Sequence, residues 1–262
     1  MAHIPAMIQV AAFYRFAVIP DPKTQRESLR AFCLSTDLQG TILLAGEGMN
    51  GTVAGSPAAV VALQAHLEAI PGFAAIDYKM SFCDEQPFGH MRVKVKPEIV
   101  TMGQPDLPIA GHTGTYVRAQ DWDELISRPG MVVVDTRNDY EVCEGSFDGA
   151  LNPKVGSFSA FPHWVDQHLD PQRDQQVAMY CTGGIRCEKA TALLRAKGFA
   201  HVYHLQGGIL NYFKEKKGER GTWNGTCFVF DQRRTVDRNL QPQPDSQRSQ
   251  ALQDGLVDEV DA

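Results

Sequence analysis

The sequence is poor in cysteine and has no long hydrophobic run. Its six cysteines are scattered over 262 residues and form no Cys-x-x-Cys pair, so we expect neither a disulfide-stapled scaffold nor a structural zinc site. No apolar stretch approaches the roughly 20 residues of a membrane helix, and the N-terminal residues lack a signal-peptide pattern. These absences predict a cytoplasmic protein that keeps its thiols reduced and has no membrane partner.

Basic residues are not in excess either. Lys and Arg number 25 against 31 Asp and Glu, which gives a net charge of −6. This mean argues against a polyanionic partner, because phosphates are neutralised by local clusters of Lys and Arg. However, residues 239–262 carry −4 of that charge, together with five glutamines. This composition predicts a disordered acidic tail and a nearly balanced body.

The sequence also lacks the patterns of a metal or nucleotide cofactor. His163 and His168 are five residues apart, and His201 and His204 are three apart in a predicted strand. Neither spacing turns two imidazoles to one side beside a carboxylate, as an iron triad requires. No glycine-rich dinucleotide fingerprint is present. We therefore expect no metal and identify no cofactor.

The first 97 residues predict a ferredoxin-like, or acylphosphatase-like, α+β domain. Apolar alternation, proline-initiated helices and a glycine-rich hairpin turn over 46–51 follow one another in the order β-α-β-β-α-β. The predicted strands are 7–19, 41–45, 51–54 and 74–81, with helices 21–38 and 56–70 between them. A further strand is predicted over Met91–Lys96, where bases alternate with apolar residues.

Beyond residue 97 the pattern changes. Residues 98–117 are rich in proline and glycine and predict a linker. Strands and helices then alternate over 118–218, which is typical of an α/β domain with a parallel, helix-covered sheet. The predicted helices are 118–127, 161–168, 187–197 and 209–217, and the strands are 132–135, 177–180 and 202–205. Residues 219–238 form a C-terminal extension before the tail.

The most informative segment is the loop after the strand 177–180. It begins with Cys181, continues through Thr182, Gly183, Gly184 and Ile185 to Arg186, and leads directly into a helix. Backbone N–H groups and the helix N-terminus stabilise a thiolate or a bound anion at such a position. The spacing Cys-x4-Arg is one residue shorter than the phosphate cradle of cysteine phosphatases, so it suits a smaller group. The alternative is a buried cysteine that only packs.

Successive motifs in this half resemble those of a rhodanese domain. They are DTRNDYE (135–141), GSFDGALN (145–152), CTGGIRCEKA (181–190) and LQGGI (205–209). Together with EGMNGTVAG (47–55) and WNGTCFVFDQR (223–233), they are similar to the TrhO (YceA) family. Many longer members of that family continue into a cysteine-rich region, whereas no cysteine follows Cys227 in this sequence.

The resemblance implies a function that composition does not. Members of the family are oxygen-dependent tRNA uridine(34) hydroxylases, oxidoreductases that form 5-hydroxyuridine at the wobble position. By this resemblance the catalytic residue is Cys181, molecular oxygen is the co-substrate, and the partner is the anticodon region of tRNA. One alternative is a rhodanese-type sulfurtransferase that carries a persulfide on Cys181. Another is a tRNA-binding module without activity.

Other residues are candidates for the pocket and for tRNA contacts. Gly207 and Gly208 follow a strand end on the same sheet edge as Cys181 and would wall its pocket, or only begin a helix. Glu47 and Asn50, in the predicted hairpin turn, offer polar groups to an unstacked base. We expect Asp135, Arg137 and Glu141 to form a structural polar network. Cys187 could act as a resolving or redox-coupled thiol, but we expect it to pack. The candidate phosphate contacts are Arg92, Lys94, Lys96, Lys214, Lys216, Lys217, Arg233 and Arg234.

Overall fold

The computed structural model describes residues 7–74 and 76–243. The chain falls into two compact units that divide between Asp106 and Leu107, inside the segment 98–117 that the sequence predicts as a linker. None of the helices in the described ranges combines the length and apolarity needed to cross a bilayer.

The first unit is a five-stranded sheet with two helices. Its strand order is β4-β1-β3-β2-β5; β5 runs parallel to β2, and the other pairs are antiparallel. This topology confirms the predicted ferredoxin-like fold. The elements are β1 Ile8–Phe16, α1 Pro22–Ser35, β2 Gln39–Ala45, β3 Gly48–Gly55, α2 Pro57–Glu68, β4 Lys79–Cys83 and β5 Met91–Val95.

Both helices of this unit begin where the sequence caps them. The Asp21 carboxylate accepts hydrogen bonds from the backbone N–H groups of Lys23 and Thr24 at 3.1 and 3.2 Å. The Ser56 hydroxyl accepts one from Ala59 N at 3.1 Å. A proline follows each cap. It is tolerated there because the N–H groups of the first helical turn have no partner within the helix, so the missing N–H of proline costs no hydrogen bond. The apolar faces of α1 and α2 then pack on one side of the sheet, with Leu29, Cys33, Val60, Leu63 and Leu67 in the core.

The hairpin between β2 and β3 is tighter than predicted. The turn consists of Gly46 and Glu47 alone, and β3 already begins at Gly48. Gly48 has φ +154°, and a Cβ there would lie 2.2 Å from the Arg15 carbonyl oxygen. Glycine at this position therefore lets β3 lie close against β1. The glycine-rich segment 46–51 therefore allows close strand pairing as well as the hairpin turn.

The second unit contains a parallel four-stranded sheet of order β6-β10-β9-β7. Its elements are β6 Thr115–Val117, α3 Ala119–Ile126, β7 Met131–Asp135, α4 Asp139–Val142, β8 Gly145–Phe147, α5 Phe161–His168, β9 Gln176–Tyr180, α6 Ile185–Ala196, β10 His201–Leu205, α7 Gly208–Glu215, β11 Trp223–Gly225, β12 Cys227–Phe228 and β13 Thr235–Val236. A 3₁₀ turn, Phe158–Ala160, precedes α5. Val177 to Tyr180 of the inner strand β9 are buried, and this strand ends directly at Cys181.

The C-terminal extension is built into this unit. β11 pairs with β8, and β12 pairs with β13 as a short hairpin. Trp223 packs edge-on against Phe147 with 5.0 Å between ring centroids. The order continues to residue 243, since Leu240 packs on the same core and Gln243 N donates to Thr235 O at 3.0 Å. The predicted tail 239–262 thus begins with folded residues, and its remainder from 244 lies outside the described residues.

Candidate active site

Cys181 lies at the carboxyl end of β9, and its loop closes directly into α6. The residue is 1% exposed. Its Sγ accepts a hydrogen bond from Gly184 N at 3.1 Å, and Gly184 caps α6 with a left-handed φ of +98°. A strand end, a three-residue loop and a helix N-terminus therefore bring backbone N–H groups to the sulfur.

Several contacts turn this thiol into a thiolate. Burial by itself raises the pKa of Cys181. A hydrogen bond with the Cys187 side chain, the positive charge of Arg186 and the backbone N–H groups of Cys187 and Arg186 outweigh burial and lower that pKa to about 6. At neutral pH the sulfur is therefore mostly ionised, which is the form that acts as a nucleophile.

Cys187 has the opposite character. It is fully buried, and both burial and the hydrogen bond with Cys181 raise its pKa well above the ordinary value. Its Sγ also lies 3.6 Å from Thr136 Oγ1, which donates to the Tyr180 carbonyl oxygen at 3.0 Å. We predicted that Cys187 only packs, but its neutral thiol also stabilises the Cys181 thiolate.

Arg186 is held by Glu141. The two guanidinium NH groups donate to the Glu141 carboxylate at 2.6 and 2.7 Å, and Thr182 Oγ1 donates to the same carboxylate at 3.3 Å. Burial raises the pKa of Glu141, but the charge and hydrogen bonds of Arg186 outweigh it and leave the pKa lowered. This carboxylate therefore stays ionised, and it fixes both the loop and its cation.

The role of Glu141 exceeds the structural network expected from the sequence. Asp135 and Arg137 do form a fully buried pair, with Arg137 Nη2 at 2.6 Å from the carboxylate, and Arg137 also donates to the Gly145 carbonyl oxygen at 2.6 Å. Glu141 instead reaches Arg186, 45 residues further along the chain. The only local signal was its position three residues after Asn138, where its carboxylate accepts from the Asn138 N–H at the start of α4.

The start of α7 orients the loop from the other side. Ile209 N donates to Cys181 O at 3.0 Å, and Leu210 N donates to Thr182 O at 3.1 Å. Gly208 has φ +68°, and a Cβ there would lie 2.5 Å from the Cys181 carbonyl oxygen. The loop carbonyls thus face α7, while the N–H of Gly184 faces the sulfur. Gly208 thus stands against the Cys181 loop, whereas a Cβ at Gly207 would meet the Asn211 side chain at 2.7 Å.

The loop has one open side. Gly183 and Ile185 are partly exposed, and a Cβ at Gly183 would meet no atom within 4 Å. The other loop residues, Thr182 and Gly184, are buried with Cys181. A substrate that reaches the thiolate from this loop would approach past Gly183.

Glu47 and Asn50 have a structural contact in the first unit. Glu47 Oε1 accepts from Ile99 N at 2.7 Å, and Asn50 Nδ2 donates to Ile99 O at 3.0 Å. The two side chains hold the backbone of Ile99 much as a neighbouring strand would. They fix the segment that follows β5.

In the basic strand β5, two of the three apolar residues are buried. Met91 and Val93 lie in the core, but Val95 is 36% exposed because it is the last residue of an edge strand. The basic residues of the other face are partly exposed and comprise Arg92, Lys94 and Lys96.

The basic residues of the second unit differ in their exposure. Lys214 and Lys217 are exposed. Lys216 pairs with Asp123 at 3.1 Å and with Glu219 at 3.2 Å.

The two arginines of the β12–β13 turn are less accessible. Arg233 pairs with Asp231 at 2.6 Å, and both side chains are largely buried. Arg234 is partly buried and adopts a left-handed φ of +58°. Lys214 and Lys217 are therefore better placed than these arginines for a phosphate in this unit.

Within the ranges that the structure describes, no group of three or more His, Cys, Asp or Glu side chains is arranged to hold a metal ion. The aromatic residues Tyr212 and Trp223 belong to the core: both are buried, and the Tyr212 hydroxyl donates to Asp123 at 2.8 Å.

Comparisons with known proteins agree with this architecture. Residues 8–99 match the UPF0176 acylphosphatase like domain, and residues 118–215 match the rhodanese-like domain. A Mesorhizobium japonicum protein named tRNA uridine(34) hydroxylase is 50% identical over 89% of this chain and 75% of its own length. A Brucella anthropi protein of the same name is 49% identical over 92% of this chain and 78% of its own length. These matches confirm the predicted resemblance: the chain belongs to the family whose members are named tRNA uridine(34) hydroxylase.

Proposed function

We propose that this protein converts uridine at position 34 of tRNA into 5-hydroxyuridine, using molecular oxygen and the Cys181 thiolate. The observation that carries the proposal is the stabilised thiolate itself, which receives a hydrogen bond from Gly184 N and the charge of Arg186. The names of relatives that are about half identical supply the substrate.

The thiolate suits the chemistry of the pyrimidine ring. C6 of uracil is electron-poor because it is conjugated with the C4 carbonyl, so a thiolate can add there and shift electrons to C5. C5 then becomes the nucleophile towards oxygen, and loss of its proton and of the sulfur restores the double bond. In a second route the sulfur itself carries the oxygen, as a peroxy or sulfenic species. In either route one oxygen atom enters the product, and the other leaves as water after two thiols, oxidised to a disulfide, supply two electrons and two protons.

The loop dimensions support a small reacting group. Cys181 and Arg186 are separated by four residues, and the loop amides reach the sulfur itself, as the 3.1 Å contact from Gly184 N indicates. Arg186 also donates to Glu141 from both of its terminal nitrogens, so these two donors already have a partner. Both features disfavour a phosphate as the occupant of this loop.

We place the reaction in the cytoplasm, on the anticodon region of tRNA. Arg92 and Lys94 lie on one face of the edge strand β5, and Lys96 follows the strand directly; all three would contact backbone phosphates. Reversing these three charges should weaken tRNA binding and flatten its salt dependence. An unchanged affinity and salt slope would remove β5 from the interface.

The direct test is nucleoside mass spectrometry of tRNA after incubation with the protein. We expect 5-hydroxyuridine with the wild type in air in the presence of a thiol reductant, and none under anaerobic conditions or with Cys181→Ala. Cys181→Ser should still bind tRNA, which separates catalysis from binding. If Cys181→Ala forms the product at the wild-type rate, the thiolate is not the catalytic group.

Sulfur transfer is the second candidate, because residues 118–215 match the rhodanese-like domain. The same N–H groups would stabilise a Cys181 persulfide. Thiosulfate-dependent thiocyanate formation and a persulfide mass increment on Cys181 would favour this function. Their absence, with tRNA hydroxylation intact, would exclude it.

A further inference from the structure

The β12–β13 hairpin presents an exposed aromatic ring beside the Cys181 loop. Cys227 and Val229 point into the core and are buried, whereas Phe228 and Phe230 occupy the opposite face. Phe230 is 55% exposed, and its ring centroid lies 5.9 Å from the Arg186 guanidinium carbon. Arg186 ends the Cys-x4-Arg loop that begins at Cys181, so the ring lies beside the loop that carries the thiolate.

The edge of this ring is supported by two further rings. Phe228 meets Phe230 at 5.3 Å and an interplanar angle of 80°. Tyr140, the neighbour of Glu141, meets Phe228 at 5.2 Å and 78°. Edge-to-face packing is a favourable arrangement of aromatic rings. It links Phe230 to the helix that carries the carboxylate partner of Arg186.

The backbone around Phe230 is fixed as well. Val229 N donates to Arg234 O at 2.7 Å, and Arg234 N donates to Asp231 O at 3.0 Å. The Asp231 carboxylate accepts from Arg233 N and Arg233 Nε at 3.0 and 2.8 Å. These bonds close the turn that follows Phe230. The backbone that carries this exposed phenyl ring is therefore fixed on both sides of it, although the ring contributes little to the core.

We propose that Phe230 is the stacking platform for the pyrimidine base that reacts at Cys181. The inference rests on the proposed function, because it needs a nucleobase as substrate. A base that leaves its stack in the anticodon loop loses its neighbours, and an aromatic side chain replaces them. The ring would hold the base beside Arg186 and the open side of the loop. Phe230 is thus a substrate-positioning residue.

Binding of two anticodon stem-loop RNAs tests this role without requiring turnover. One RNA carries uridine at position 34, and the other has an abasic site there. Stacking of one base on an aromatic side chain predicts that the wild type prefers the uridine RNA by about 5- to 150-fold. Phe230→Leu should abolish this preference, and Phe230→Tyr, which retains the ring, should restore it.

Kinetics and a matched variant complete the experiment. Phe230→Leu should lower kcat/KM for 5-hydroxyuridine formation by a similar factor, and Phe82→Leu, which removes an exposed ring from β4, should change neither measurement. The proposal is overturned if Phe230→Leu keeps the preference for uridine. It is also overturned if this variant shifts the pH profile of Cys181 alkylation, because the ring would then shield the Arg186–Glu141 pair. A wild type that prefers the uridine RNA yet forms no 5-hydroxyuridine would refute the proposed function and not the platform.

Discussion

Replacing Cys187 by alanine should weaken the Cys181 thiolate. The hydrogen bond from the Cys187 thiol is the largest of the effects that lower the pKa of Cys181. Hydrogen bonds to charged groups contribute about 1.5–3 kcal/mol, and a thiol, as a weak donor, belongs at the lower end. Since about 1.4 kcal/mol corresponds to one pKa unit, the pKa of Cys181 should rise from about 6 to roughly 7. The thiolate fraction at pH 7 would then fall from about 90% to about half.

The rate of alkylation by iodoacetamide measures this change. Peptide mass spectrometry follows Cys181 alone, and a Cys143→Ser background removes the exposed cysteine. The midpoint of the pH–rate profile should move up by about one unit in Cys187→Ala. Cys187→Ser retains a donor to Cys181 and should keep the wild-type midpoint. If Cys187→Ala and the wild type have coinciding profiles, and both are folded by thermal denaturation, the backbone and Arg186 alone hold the thiolate and our account of Cys187 is wrong.

Three further predictions concern stability. Glu141→Gln leaves the Arg186 charge buried without its counterion and should lower the free energy of unfolding by about 3–5 kcal/mol in urea denaturation; a change below about 1 kcal/mol would contradict the role of this pair. Gly208→Ala puts a Cβ 2.5 Å from the Cys181 carbonyl oxygen at φ +68° and should lower Tm by several degrees, whereas Gly183→Ala, with open space around its Cβ, should not. Because the pKa of Cys181 is lowered on folding, its contribution is complete above pH 9 and lost as pH falls towards about 6. The free energy of unfolding of the wild type should therefore fall relative to that of Cys181→Ser over that pH range. If the two proteins show the same dependence of stability on pH, Cys181 is not a thiolate in the folded protein.

The sequence predicted a helix or strand well where the signals that define it lie within the element itself. Helix α5 has the predicted bounds of 161–168, because a proline near its start and an amphipathic pattern define it. Helix α6 begins at Ile185 rather than 187, since Gly184 adopts the left-handed cap conformation. The pairing of β11 with β8 had no local signal, because the paired residues, such as Trp223 and Phe147, are nearly eighty positions apart in sequence.

The sequence predicted the nucleophile of the site, but it predicted fewer of the residues that surround the nucleophile. A strand end followed by a glycine loop and a helix is a local pattern, and it identified Cys181 and Arg186 as candidates. The partners Glu141 and Thr136 come from an earlier strand–helix segment. Their contribution to the site depends on contacts between segments that are far apart in sequence. Hydrophobic periodicity and motif spacing do not predict such contacts.

That dependence has a consequence for the newly made chain. Glu141 must meet Arg186 across 45 residues of sequence, so the cation beside Cys181 is fixed in place only when the second unit folds. In the unfolded chain Cys181 has the ordinary thiol pKa of 9.0, and only about 1% is ionised at pH 7. Folding thus creates the reactive sulfur and encloses it in the same step. Before folding, this thiol is as unreactive towards electrophiles as that of an ordinary cysteine, and its chemistry begins only with the finished fold.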